Sequence, residues 1–218
     1  MKNLVITAHL TSPVCSSDFY LPFDSLILSL YLRNKYGQEE LSLSSYVTDD
    51  VKRKIEEAQL PIEKMLCHGE EIYKASFCVW PDRCATTKAF YNKTFDLEYS
   101  DYLNLNGSGK IDTSRGRYKK YHNNIYIRHA QSVKWYCKGD KESIIELLST
   151  CKAIGKKTAQ GYGVVKSFVV EETQNEFSLY NDDGVAIRTI PNLNARSVYG
   201  IRPPYWLPEN QALCYLPF

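Results

Sequence analysis

Polar and apolar residues alternate at the start of the chain. "NLVITAHL" puts Leu4, Ile6, Ala8 and Leu10 on one side, the two-residue period of a half-buried strand. "SPVCSSDFYLP" breaks that pattern and reads as a loop. The period then lengthens. In "FDSLILSLYLRNKYG", Leu26, Ile27, Leu30 and Tyr31 fall at helical spacing, with Asp24 or Ser25 near the start and Gly37 past the end. Residues 38 to 70 are acidic and predict a partly helical connection. "EEIYKASFCVW" alternates again, with Tyr73, Ala75, Phe77 and Val79 sharing one face. A long polar stretch, 81 to 131, follows with the turn-rich "NLNGSGK" inside it, and "SVKWYCK" predicts a third strand. Ile144, Leu147, Leu148, Cys151 and Ile154 predict a second helix over 141–154, N-capped by Asp140 and stopped at Gly155. "VVKSFVV" predicts a fourth strand.

The order β-α-β-insert-β-α-β predicts an α+β, ferredoxin-like (RRM-like) fold. Two helices would lie on one face of an antiparallel sheet, with a long basic insertion between strands 2 and 3. The 218 residues fit one domain, 1–218. Its core would span 1–171, with the insertion at about 81–131. Residues 172–218 add a hairpin, "FSLYNDDGVAIRTI", turning at Asp183-Gly184. The tail "GIRPPYWLPENQALCYLPF" is too rich in proline for regular structure.

Composition narrows the function. Seven cysteines without a Cys-x-x-Cys pair predict reduced thiols and a cytoplasmic location. Four scattered histidines offer no metal-ligand spacing, so neither metal nor cofactor is expected. No run is apolar for the length of a membrane span, and "MKNLVITAHL" lacks the core of a signal peptide. Net charge is only +2, but residues 110 to 138 carry eight cations against the single Asp112. Most of the compensating acid lies between 39 and 71. Such asymmetry predicts a polyanion-facing segment on a neutral body. Tyr118, Tyr121, Tyr126 and Tyr136 interleave with those cations, a mixture suited to single-stranded nucleic acid, where bases stack and phosphates pair. A solvated basic hairpin with core tyrosines has the same composition.

The densest glycine cluster is "AIGKKTAQGYGVV", residues 153 to 165. It matches neither nucleotide loop. Position 150 is threonine where a P-loop needs glycine, and Gly161-Tyr162-Gly163 continues into Val164, Val165 and Lys166 rather than G-x-x-G. Both of those loops also leave a strand and open a helix, whereas this one leaves a helix and enters a strand. A plain α-to-β turn with solvated lysines fits as well.

A ferredoxin-like order, a glycine-rich loop before the last strand and a basic insertion after the second resemble the RAMP superfamily of CRISPR-associated RNA-binding proteins. The residues carrying the likeness are Gly155, Lys156, Lys157, Gln160, Gly161, Tyr162 and Gly163, with the valine strand behind them. Within that group, "LVITAHLTSPV", "DSLILSLYL" and "GIRPPYW" are similar to the Cas-five-like subunit of type IV CRISPR effector complexes. The resemblance implies a non-catalytic subunit that holds the 5′ handle of the guide RNA (crRNA) and caps a filament of backbone subunits. Its partners would be Cas-seven-like backbone subunits and the large or small subunits, with target DNA touched only indirectly. On this chain the RNA contacts would be the glycine loop and the insertion, at Arg115, Arg117, Tyr118, Lys119, Lys120, Tyr121, His122 and Arg128.

Two other classes stay open. Some relatives in the superfamily cut repeat RNA without metal, which needs a base for the 2′-OH, an acid for the leaving oxygen and a cation for the phosphate. His122 or His129, with Tyr121 and Lys119 or Lys120, are the candidates for those roles. A protein-only assembly adaptor would use the tail, where Arg202, Tyr205 and Trp206 are residue types enriched at interface hot spots. Tyr205 and Trp206 equally suit closure of the core.

Overall fold

The computed structural model describes residues 1–16, 20–37, 48–95, 98, 112–115 and 118–217. The first half runs β1 (Lys2–Leu10), β2 (Val14–Ser16), α1 (Phe23–Tyr36), α2 (Asp49–Glu56), β3 (Lys64–Cys67), β4 (Glu70–Tyr73) and β5 (Ala85–Lys93). The second runs β6 (Tyr121–His129), β7 (Ser132–Gly139), α3 (Lys141–Ser149), β8 (Val165–Glu172), β9 (Ile190–Pro191), β10 (Ser197–Gly200) and β11 (Gln211–Tyr215). The architecture is mixed α+β with antiparallel sheets. Among the described residues no helix is long and apolar enough to cross a membrane.

The alternation in β1 does what it predicts: Leu4, Ile6 and Ala8 are buried. β1 is the centre of a sheet, antiparallel to β7 on one side and to β8 on the other. Beyond β7, Ala75 and Val79 bridge Cys137 and Lys134, and the Ser76 amide reaches the Tyr136 carbonyl at 2.8 Å. The order across this layer is therefore 75–79, β7, β1, β8. α1 packs on α3 and β7, and α3 on β8, so both helices cover one face. Phe23, Ile27 and Leu30 of α1 meet Ile144 and Leu148 of α3 over Trp135 in one core. Each such side chain contributes about 1.5–3 kcal/mol of burial. The Asp140 carboxylate caps α3 by accepting the Ser143 amide at 3.0 Å.

Four local expectations are corrected. α3 ends at Ser149, not at 154, because Ser149 and Thr150 bend their hydroxyls back onto the Glu146 and Leu147 carbonyls. Cys151 and Ile154 are still buried, but from an irregular segment that pairs with the start of β8. The expected loop after β1 contains β2, whose three residues have no period of their own and are held by β6. "EEIYKASFCVW" is divided: β4 forms a hairpin with β3 across His68 and Gly69, both at positive φ, and only 75–79 joins β7. The tail is regular after all. β10, β11 and β9 form a small antiparallel sheet that packs Ile201 and Cys214 on Ile72. The turn at Asp183-Gly184 exists, but its arms share only the Tyr180–Ala186 bridge. Asn181 accepts the Asp183 and Val185 amides to shape it.

The insertion is a hairpin of two nine-residue strands, β5 and β6, in register from Ala85–His129 to Lys93–Tyr121. The stretch 104–110, Arg117 and part of the acidic 38–70 connection lie outside the described residues.

Candidate nucleic-acid interface

β2 brings together the basic insertion and the glycine loop. Its Cys15 pairs with Ile127 of the β6 hairpin on one side and with Lys156 of the glycine loop on the other. The Lys156 amide donates to the Cys15 carbonyl at 2.6 Å, and the Gly163 amide to the Pro13 carbonyl at 2.7 Å. Burial pushes the Cys15 thiol up, while Lys157 and Lys156 nearby pull it back.

The glycines serve this closure. A Cβ on Gly155 would sit 2.5 Å from the Cys15 carbonyl oxygen, and one on Gly163 would run into the Ile154 carbonyl. Gly161 has open space around it but a φ of 87°, which favours glycine by backbone conformation alone. The Gly161 amide already donates to the Thr158 carbonyl at 3.0 Å. The Gly161 amide is thus committed within the loop and the Gly163 amide to the segment before β2, so neither is free to meet a phosphate. Lys156 and Gln160 are exposed, Lys157 and Tyr162 half-buried.

The hairpin sorts its residues onto two faces by the two-residue period. One face carries Lys88, Phe90 and Asn92 of β5 and His122, Asn124, Tyr126 and Arg128 of β6. There the His122 ring stacks on Phe90, centroids 4.5 Å apart and 22° between planes, while His122 Nδ1 bonds Asn92 Oδ1. The Lys88 ammonium lies 5.8 Å from the Phe90 centroid. Near the foot, Arg128 is buried with its guanidinium 4.5 Å over the Trp80 ring. Both border a cleft of about 630 Å3 walled by Tyr20, Phe77 and Trp80. The other face carries Tyr121, under the Lys93 ammonium, and His129. Before β6, Lys119 and Lys120 are exposed, Arg115 faces Asp112 at 3.6 Å, and Tyr118 meets Phe95 edge-on at 4.9 Å.

The candidate nuclease residues do not converge. His122 and His129 are seven residues apart on one strand, hence on opposite faces and about 24 Å from each other. Tyr121 also faces away from His122. What the sequence reading missed is Lys88, Phe90, Asn92 and Asn124. No two-residue period marks them: neither "KAFYNK" nor "YHNNIY" alternates polar and apolar positions, and both lie inside the long polar stretch 81 to 131.

The tail residues divide. Arg202 is spent internally, on Asn210 Oδ1 at 2.9 Å, on Glu70 and on the Glu71 and Glu209 carbonyls. Tyr205 donates its hydroxyl to the buried Asp24 carboxylate at 2.9 Å. Arg188, fully buried, lies 3.8 Å from Asp24 and donates to the Tyr73, Ala75 and Ile201 carbonyls. Burial raises the Asp24 carboxyl above its ordinary value against the pull of Arg188 and Tyr205. Trp206 alone of the three is half exposed, beside a groove of about 600 Å3 that Lys156 also lines.

Comparison with known proteins fits this picture in one place. No curated protein matches the chain. A family model described as CRISPR type IV associated protein Csf3 matches residues 2–217, nearly the whole length, and the chain belongs to that family.

Proposed function

We propose that this protein is a non-catalytic RNA-binding subunit of a type IV CRISPR effector complex that grips the 5′ handle of the guide RNA. We read the 75–79, β7, β1, β8 layer with its two helices as a ferredoxin-like core of the RAMP type, and the β5–β6 hairpin as its basic insertion. The observation that carries the reading is β2. Two cationic segments, about thirty residues apart in sequence, flank one three-residue strand, so a single RNA strand can touch both. Binding rather than cutting is favoured because His122 faces away from Tyr121 and His129, and the two histidines are about 24 Å apart. In the complex the subunit caps the filament of backbone subunits, and the exposed Trp206 is available to a protein neighbour.

A salt titration of handle RNA binding tests this. Arg115, Lys119, Lys120 and Lys156 are exposed. For single strands, log affinity falls with log salt by roughly 0.7 per phosphate neutralised. Replacing all four with alanine flattens the slope by up to about 3 units if each meets one phosphate. An unchanged slope means these cations do not face RNA, and the proposal fails.

A further inference from the structure

Phe90 is a large apolar side chain left 54% exposed in the middle of a strand. Burying such a ring gains about 1.5–3 kcal/mol, so its exposure asks for a partner. It does not stand alone. His122 stacks on it, Lys88 lies beside it, and Asn124 is its cross-strand neighbour. The face from Thr86 and Arg128 to Asn92 and His122 holds no carboxylate. An apolar ring beside the Lys88 ammonium and the Asn92 and Asn124 amides suits poorly a greasy protein partner, which offers that charge no counter-ion. It suits a polyanion with aromatic rings.

We propose that Phe90 and His122 form a stacking platform for one unpaired nucleobase of the bound RNA. The base adds a third ring to the stack. Offset-stacked rings attract at this separation, and stacking tolerates any base because each has a π-face. Lys88 pairs with the neighbouring phosphate. Directly opposed side chains on adjacent strands start about 4.5–5.5 Å apart, which puts the Asn124 amide within reach of the edge of a base lying on Phe90. Asn92 fixes the His122 ring through Nδ1 and so sets the plane of the platform. This subsite rests on the RNA-binding reading of the previous section. It adds Lys88, Phe90 and Asn92, which lie outside both the glycine loop and the 110–138 basic segment.

The test is a binding series with handle RNA, intact and with one abasic position at a time, against wild type, Phe90→Ala and Phe90→Trp. Phe90 is exposed, so the variants keep the fold. Losing one stack costs about 1–3 kcal/mol, so Phe90→Ala lowers affinity about 5- to 150-fold with an unchanged salt slope. Phe90→Trp retains binding. One abasic position produces the same loss in wild type and no further loss in Phe90→Ala. If Phe90→Ala binds as wild type while alanine at Lys119 and Lys120 still weakens RNA, the platform is refuted and the RNA-binding reading stands. If Phe90→Ala keeps RNA affinity but no longer assembles with the other subunits, the ring is a protein contact and the platform is again refuted. If wild type shows no handle binding even at low salt, both fall together.

Discussion

Arg188→Met is the sharpest perturbation of the fold that the structure offers. The substitution keeps roughly the length of the side chain and removes the cation from a fully buried site. Asp24, 3.8 Å away, would keep the Tyr205 hydroxyl and backbone amides but no cation. The carbonyls of Tyr73, Ala75 and Ile201 would lose a donor at the same time. Breaking a buried ion pair from one side typically costs about 3–5 kcal/mol, against a total stability of about 5–15 kcal/mol for a domain. The penalty also depends on pH in a definite direction. Asp24 already has its folded pKa above the ordinary 3.8, because burial outweighs its partners. A group raised in this way lends stability below its unfolded pKa and loses it as pH rises through the folded value. Without Arg188 the folded value rises further, so the variant is penalised more at neutral pH than in mild acid. Urea denaturation at both pH values reads this as a shift of midpoint with constant slope. A midpoint within about 0.5 kcal/mol of wild type at neutral pH would refute the network as a structural centre.

Two further outcomes follow from the loop and the β3–β4 hairpin. Gly161→Ala meets only its left-handed backbone cost, about 1–2 kcal/mol, whereas Gly163→Ala adds about 1–3 kcal/mol of overpacking against Ile154; equal thermal shifts would contradict the geometry. Lys74 and Lys138 hold the Glu63 carboxyl below its usual 4.5, so its contribution is present above 4.5 and is lost as pH falls through the folded value. Glu63→Gln should therefore lower the denaturation midpoint at neutral pH and converge with wild type in strong acid, and a gap that persists there would contradict the assignment.

The elements legible in the sequence are those whose pattern is written locally. β1, α1 and β7 each bury one face of a continuous period, β8 half-buries Val165, Phe168 and Val170, and composition alone marks the basic insertion. β2 is three residues long and exists because the distant β6 pairs with it, which no window of that length encodes. Asp24 looked like a helix-start residue, yet its partners are Arg188 and Tyr205 near the other end of the chain. The same contact explains half of the "GIRPPYW" motif: Tyr205 serves the interior, and Trp206 is left for the surface. At the interface, the glycine cluster marked the loop, but a positive φ does not say where an N–H is donated.

A strand of three residues cannot hold its place alone. β2 is buried, with Val14 in the core, and is paired by β6 on one side and bridged by Lys156 on the other, so the hairpin and the loop are tied to one short strand. Ordering either side lowers the entropic cost of ordering the other, which makes their ligand contacts cooperative without any change of shape. Alanine at Phe90 and at Lys156 should then be non-additive, with the Lys156 amide, donated to Cys15, as the hydrogen-exchange reporter of that coupling. Grip on the RNA would behave as one event, closing or releasing along the whole strand.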